Sequence, residues 1–246
     1  MRAKSLVVAE VVLILLMSLV MDRIGEAGQD SLKLKGEVED SLKGRDFNDI
    51  EVAVTGDEVT LSGHVPHFWA KDQAIKRVLN IERVETVASE LKLPDAESDQ
   101  NIAKAVTREI QRYPHYTMWD DLTARVQQGG VFIGGWVTPD RDKASELFER
   151  VAKIKGVQNV ENTIQSLSPS SNDRRIRSFI ARQLRSNIHF DRITRMKNPP
   201  IRIVVNNGHV RLLGYVQGQI ETIELQRIVA QTPGVLRVQN EVQILQ

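Results

Sequence analysis

The sequence has no cysteine. Disulfides, thiolate metal sites and a lipid-modified cysteine anchor are therefore excluded, and no thiol responds to an oxidising compartment. Several motifs that carry chemistry are also missing: there is no phosphate-binding glycine loop, nucleophile elbow or HExxH helix. Aromatics make up only 5% of the 246 residues, whereas 26% charged residues is ordinary for a globular chain. There is little net charge, +1, but it is unevenly spread. Residues 31–97 carry nine Lys/Arg against fourteen Asp/Glu, residues 98–171 carry nine of each, and residues 172–246 carry twelve against five. A basic last third calls for an anionic partner: a membrane, a nucleic acid or the acidic first third.

Long apolar runs are absent except at the start. Arg2 and Lys4 precede about 16 residues from Leu6 to Met21, broken only by Glu10 and Ser18, and Gly25-Glu26-Ala27 offers a small-x-small cleavage site. Residues 1–27 read as a signal peptide or an uncleaved signal anchor, the run being short of the roughly 20 residues that cross a bilayer comfortably. Either reading exports the rest of the chain, to the periplasm. It is tethered to the inner membrane if residues 1–27 are not removed.

What is present is a repeat. Val59-Thr60-Leu61-Ser62-Gly63-His64-Val65 recurs as Val131-Phe132-Ile133-Gly134-Gly135-Trp136-Val137 and as Val210-Arg211-Leu212-Leu213-Gly214-Tyr215-Val216. Apolar residues at positions one, three and seven give a strand with one buried face. The glycine at position five is expected to let a helix approach the sheet closely. A second strand pattern follows at Val84, Val157 and Val235, offset from the first by 25, 26 and 25 residues. Before each shared strand lie an amphipathic helix (Leu34, Val38, Leu42; Ile102, Val106, Ile110; Ile176, Ile180, Leu184) and a short strand joined to it by a turn. Between the two patterns lies a second helix. The expected fold is α+β: three tandem α-β-β-α-β domains at 28–97, 98–171 and 172–246. Each is a three-stranded mixed sheet with two helices on one face and a right-handed β-α-β crossover. Extra residues around Met196–Pro200 account for much of the longer spacing before the third repeat.

These residues resemble the BON (bacterial OsmY and nodulation) family. The V-x-L-x-G-x-V strand and the later G-V-x-x-V-x-N-x-[IV] strand carry the resemblance, over about residues 31–246. The first copy departs from it, with Arg83 for the glycine and Ser89 for the asparagine. The resemblance implies a periplasmic or outer-membrane setting, protection against osmotic shock and contact with phospholipid surfaces. It supplies no catalytic residues.

Candidate sites follow. The arginines of the first helix of repeat three, Arg174, Arg175, Arg177, Arg182 and Arg185, flank an apolar stripe, as in helices that bind anionic headgroups. The segment Tyr113-Pro114-His115-Tyr116-Thr117-Met118-Trp119 suits a membrane interface through Tyr113, Tyr116 and Trp119, or else covers the end of a small core. Outward positions of the shared strand, Phe132, Trp136, Leu213 and Tyr215, form a contact surface between repeats two and three or toward another protein. His64-x-x-His67 lacks a third ligand, so no metal site is expected and both are placed on the solvated surface. Asp173 is a plausible N-cap. Asp120-Asp121 and Asp140-x-Asp142 suit a strand start and a first helical turn rather than catalysis. No catalytic residue and no cofactor is expected. The expected function is a non-enzymatic envelope protein that binds anionic phospholipid surfaces and supports the envelope under osmotic stress. The alternative is a periplasmic protein-binding or chaperone-like module. Export argues against nucleic acid.

Overall fold

A computed structural model describes residues 29–245 of the chain. The expected export segment, residues 1–27, lies outside them. Among the described residues no helix is long and apolar enough to cross a membrane. The chain divides into two compact units at the Pro94–Asp95 junction.

The first unit holds α1 (residues 29–41), β1 (Ile50–Thr55), β2 (Glu58–His64), α2 (Phe68–Leu79) and β3 (Thr86–Lys92). The second unit runs through this order twice. Its first pass is α3 (Asp99–Arg112), β4 (Asp121–Gln127), β5 (Gly130–Val137), α4 (Lys143–Ala152) and β6 (Asn159–Ser166). Its second is α5 (Ser171–Ser186), a short α6 (Asp191–Thr194), β7 (Ile201–Asn206), β8 (His209–Val216), α7 (Gln219–Ala230), β9 (Arg237–Asn240) and β10 (Gln243–Ile244). In every sheet the repeated strand is central, antiparallel to the strand before it and parallel to the strand after it. The three α+β domains with mixed sheets are therefore as expected from the alternation of the sequence. The third domain departs in two respects, the added α6 and the form of its last strand. Its last strand is split into β9 and β10, both beside β8. At the break the Asn240 side chain accepts the Val242 N–H (3.2 Å), as Asn162 accepts the Ile164 N–H (3.1 Å) within the unbroken β6.

Each core is the inner face of a sheet against the apolar stripes of two helices. In the first, Val59, Leu61 and Val65 meet Leu34 and Val38 of α1 and Ala70, Ala74 and Val78 of α2, all buried. In the third, Val210, Leu212 and Val216 meet Ile176, Ile180 and Leu184 of α5 and Leu225, Ile228 and Val229 of α7. At about 1.5–3 kcal/mol per buried aliphatic side chain, this shared pattern supplies the main driving force.

The repeated glycine has another cause than the expected helix approach. Gly63, Gly135 and Gly214 adopt φ of 108°, 118° and 92°. A Cβ on them would lie 2.1 Å from the carbonyl oxygen of Asp49, Asp121 and Pro200 respectively. The glycine admits a neighbouring backbone at the start of the hairpin partner, in a conformation other residues rarely adopt. Asp173 is not the N-cap of α5 either; Ser170 is, accepting from Asp173 N at 3.2 Å. The buried Asp173 carboxylate instead accepts Asn207 N (2.6 Å) and Gly208 N (2.8 Å) of the β7–β8 turn. Asp99 does the same for Gln128 N (2.9 Å) and Gly129 N (2.8 Å) in the second domain.

Candidate functional site

The orientation of α5 follows from its apolar stripe. With Ile176, Ile180 and Leu184 fully buried, the opposite face must point outward. Arg174, Arg175, Arg182 and Arg185 are exposed, and Arg177 is half-buried. Among the described residues none of the five lies within 4.0 Å of a carboxylate. Arg177 donates to the Val205 carbonyl (3.3 Å). Its burial holds the guanidinium below its ordinary pKa, against the opposing pull of Asp173. Arg175 turns aside to Asn172 Oδ1 (3.2 Å). The other four line a groove of about 410 Å³ with Ser178, and its far wall is Trp119. Two candidates that the sequence placed 55 residues apart (119 to 174) thus meet.

The remaining aromatics of the 113–119 segment point inward. Tyr113 is 2% exposed, donates its hydroxyl to Glu146 (2.6 Å) and lies under Arg150. Burial, then the hydrogen bond to Glu146, raises its pKa; the same bond lowers that of Glu146. Half-buried Tyr116 accepts from Arg202 Nε (2.9 Å), whose guanidinium stacks 4.7 Å above its ring. Ile203 N of β7 donates to the Met118 carbonyl (2.7 Å), and Met118 and Trp119 pack on the third core. This segment covers the free edge of β7 and joins the second domain to the third. The membrane-facing expectation is corrected for Tyr113, which has no surface to offer, and Tyr116 is committed to Arg202.

A buried ion pair of the second domain holds the end of that segment. Lys143 Nζ, 1% exposed, is 3.0 Å from both oxygens of Asp120, 0% exposed. Asp120 also accepts Thr117 N (2.8 Å), Thr117 Oγ1 (2.9 Å) and Thr138 N (2.8 Å). The sequence reading missed this pair. The visible signal was a lysine in the first turn of α4, where an acid is usual. Asp142, expected in the first turn, is instead the N-cap of α4, its carboxylate accepting Ser145 N (3.1 Å).

The outward sheet positions diverge. Trp136 lines a cleft of about 420 Å³ shared with Val204, Asn206, His209 and Arg211 of the third domain. Phe132 lies beneath Arg125 of its own domain (4.9 Å), Leu213 is half-buried, and Tyr215 stands 48% exposed. His64 is exposed as expected, but His67 is the N-cap of α2, its Nδ1 accepting Ala70 N (3.2 Å). Among the described residues no group of three or more His, Asp or Glu is placed to hold a metal ion.

Comparisons with known proteins bear on this arrangement. The BON domain family model matches residues 30–95, 98–166 and 172–246. No curated protein matches the chain. Among solved structures, the C-terminal domain of CdsD, the structural protein of the type III secretion system of Chlamydia trachomatis, is similar at 14% identity over 86% of this chain and 96% of that one, with a TM-score of 0.26. A second CdsD structure is similar at 14% identity over 87% and 92%, with a TM-score of 0.25. At such scores neither carries an argument.

Proposed function

The chain belongs to the BON domain family, and on that premise we propose that it is a non-enzymatic envelope protein that binds anionic phospholipid surfaces through α5 and supports the envelope under osmotic stress. One observation carries the reading: the exposed arginines of α5 have no carboxylate within ion-pair distance, so their charge is available to an external anion. Trp119, at the wall of their groove, adds a side chain suited to a bilayer interface. The family supplies no catalytic residues, and its periplasmic setting fits the leading apolar run.

Co-sedimentation of residues 28–246 with phosphatidylglycerol-containing and with neutral vesicles tests this. The parent should bind only the anionic vesicles, and less as salt rises. At about 1 kcal/mol per cation near an anionic surface, Arg174→Glu, Arg182→Glu, Arg185→Glu together should lower affinity at least 100-fold. Salt-independent binding, or retention by this variant once shown to be folded, would reject α5. The protein-binding alternative keeps Tyr215 as its exposed aromatic, since Trp136 already faces the third domain.

A further inference from the structure

The link from α5 to β7 is longer than its counterpart in the second domain: residues 187–200 against residues 113–120. It is pinned rather than loose. Phe190 and Ile193 are buried in the third core, and Asn187 caps the end of α5 while donating to Glu224 of α7 (3.3 Å). Between these anchors Ile188 is 89% exposed. On α7, one turn before Glu224, Ile220 is 65% exposed. Single exposed aliphatics are common. Ile188 follows Asn187 and Ile220 lies one turn before Glu224, the two partners of one hydrogen bond, and the segment around Ile188 is strongly basic. From residue 182 to 197 there are five cations, Arg182, Arg185, Arg192, Arg195 and Lys197, and one acid, Asp191. Asp191 is already paired with Arg195 (2.7 Å), and Glu224 with Arg227 (2.8 Å).

We propose that Ile188 is an apolar tip that enters the acyl region of an anionic bilayer, with exposed Ile220 of α7 following, while the cations of the segment rest on the headgroups. Among the described residues Arg182, Arg185, Arg192 and Lys197 have no carboxylate within 4.0 Å, and an exposed aliphatic in such a segment has the chemistry of an interfacial anchor. Phosphate alone would leave Ile188 without a partner. The inference rests on the proposed function but assigns insertion, where that reading needs only surface contact.

The absence of cysteine makes the test direct. In the full chain, Ile188→Cys is labelled with an environment-sensitive dye. Leu236→Cys serves as the control: it is 74% exposed and sits against Gly208 in the β7–β8 turn, whereas the 187–200 link enters β7 at its opposite end. With phosphatidylglycerol vesicles the dye at 188 should brighten at least twofold, shift to the blue and be quenched by spin-labelled acyl chains; the dye at 236 should not. Ile188→Ser should weaken vesicle binding about tenfold with an unchanged melting temperature. If arginine-dependent binding persists while the dye at 188 stays aqueous, insertion is overturned and the proposed function stands. If no vesicle is bound, both fall. A blue shift that grows with protein concentration and without vesicles assigns the tip to a second copy and overturns the proposal.

Discussion

Two links occupy the same place in successive domains and are used in opposite ways. The 113–120 link carries Tyr113, Tyr116, Met118, Trp119 and a buried aspartate, and it spends nearly all of them inside the unit. The 187–200 link buries only Phe190, Ile193 and Pro199, and holds Ile188 and Met196 out among arginines. Apolar content therefore does not decide which link faces outward. The first segment has an edge strand to cover and a cation to neutralise. The second has its anchors in the core and nothing described lying over its tip.

The largest expected effect comes from breaking the first link's anchor. Asp120→Ala leaves the buried Lys143 with only the exposed Asp140 carboxylate (3.4 Å) beside it and should cost about 3 kcal/mol in denaturant unfolding. An apolar pair, Asp120→Leu with Lys143→Met, should recover only part of it: the desolvation cost of the charges goes, but the Thr117 and Thr138 N–H groups are left without their acceptor. A smaller effect is expected from Tyr116→Phe, which deletes the hydroxyl accepting from Arg202: about 1 kcal/mol, read by the same method. Acid sharpens the contrast further. The Glu146 carboxyl is held low by Tyr113, so its contribution is present at neutral pH and fades below about 4.5, as pH falls through the depressed pKa. Unfolding followed from pH 7 to 3 should show Tyr113→Phe losing less stability on acidification than the parent. The smallest effect on folding belongs to the second link. Ile188→Ser should change stability by less than about 0.5 kcal/mol. A loss of several kcal/mol would mean that the tip is structural and that the two links are alike.

The architecture was legible because the alternation of Val59, Leu61 and Val65, and its two copies, records one buried face directly. The first helix of each domain was legible for the same reason, since Ile176, Ile180 and Leu184 fall on one stripe. What escaped were side-chain partnerships, most of them between residues distant in sequence. Asp173 reads locally as a cap, yet its carboxylate reaches the turn at Asn207 and Gly208. His67 reads as surface, although the amide it caps is three residues on. Lys143 and Asp120 are 23 residues apart and each looks ordinary alone. The arginines of α5 were readable as a set; their common groove with Trp119 was not, because it depends on how the second and third domains meet.

The glycine of the repeated strand has one more consequence. Its forbidden Cβ would strike the carbonyl of a residue fourteen positions earlier in every domain, Asp49, Asp121 or Pro200. That carbonyl works as a fixed docking port for whatever precedes the hairpin. A connector of eight residues (113–120) and one of thirteen (187–199) are both delivered to it, and the sheet beyond is built alike. The domain is thus a socket with a standard fitting. Its variable cargo sits upstream of the port, so links of different length and chemistry lead into the same strand register.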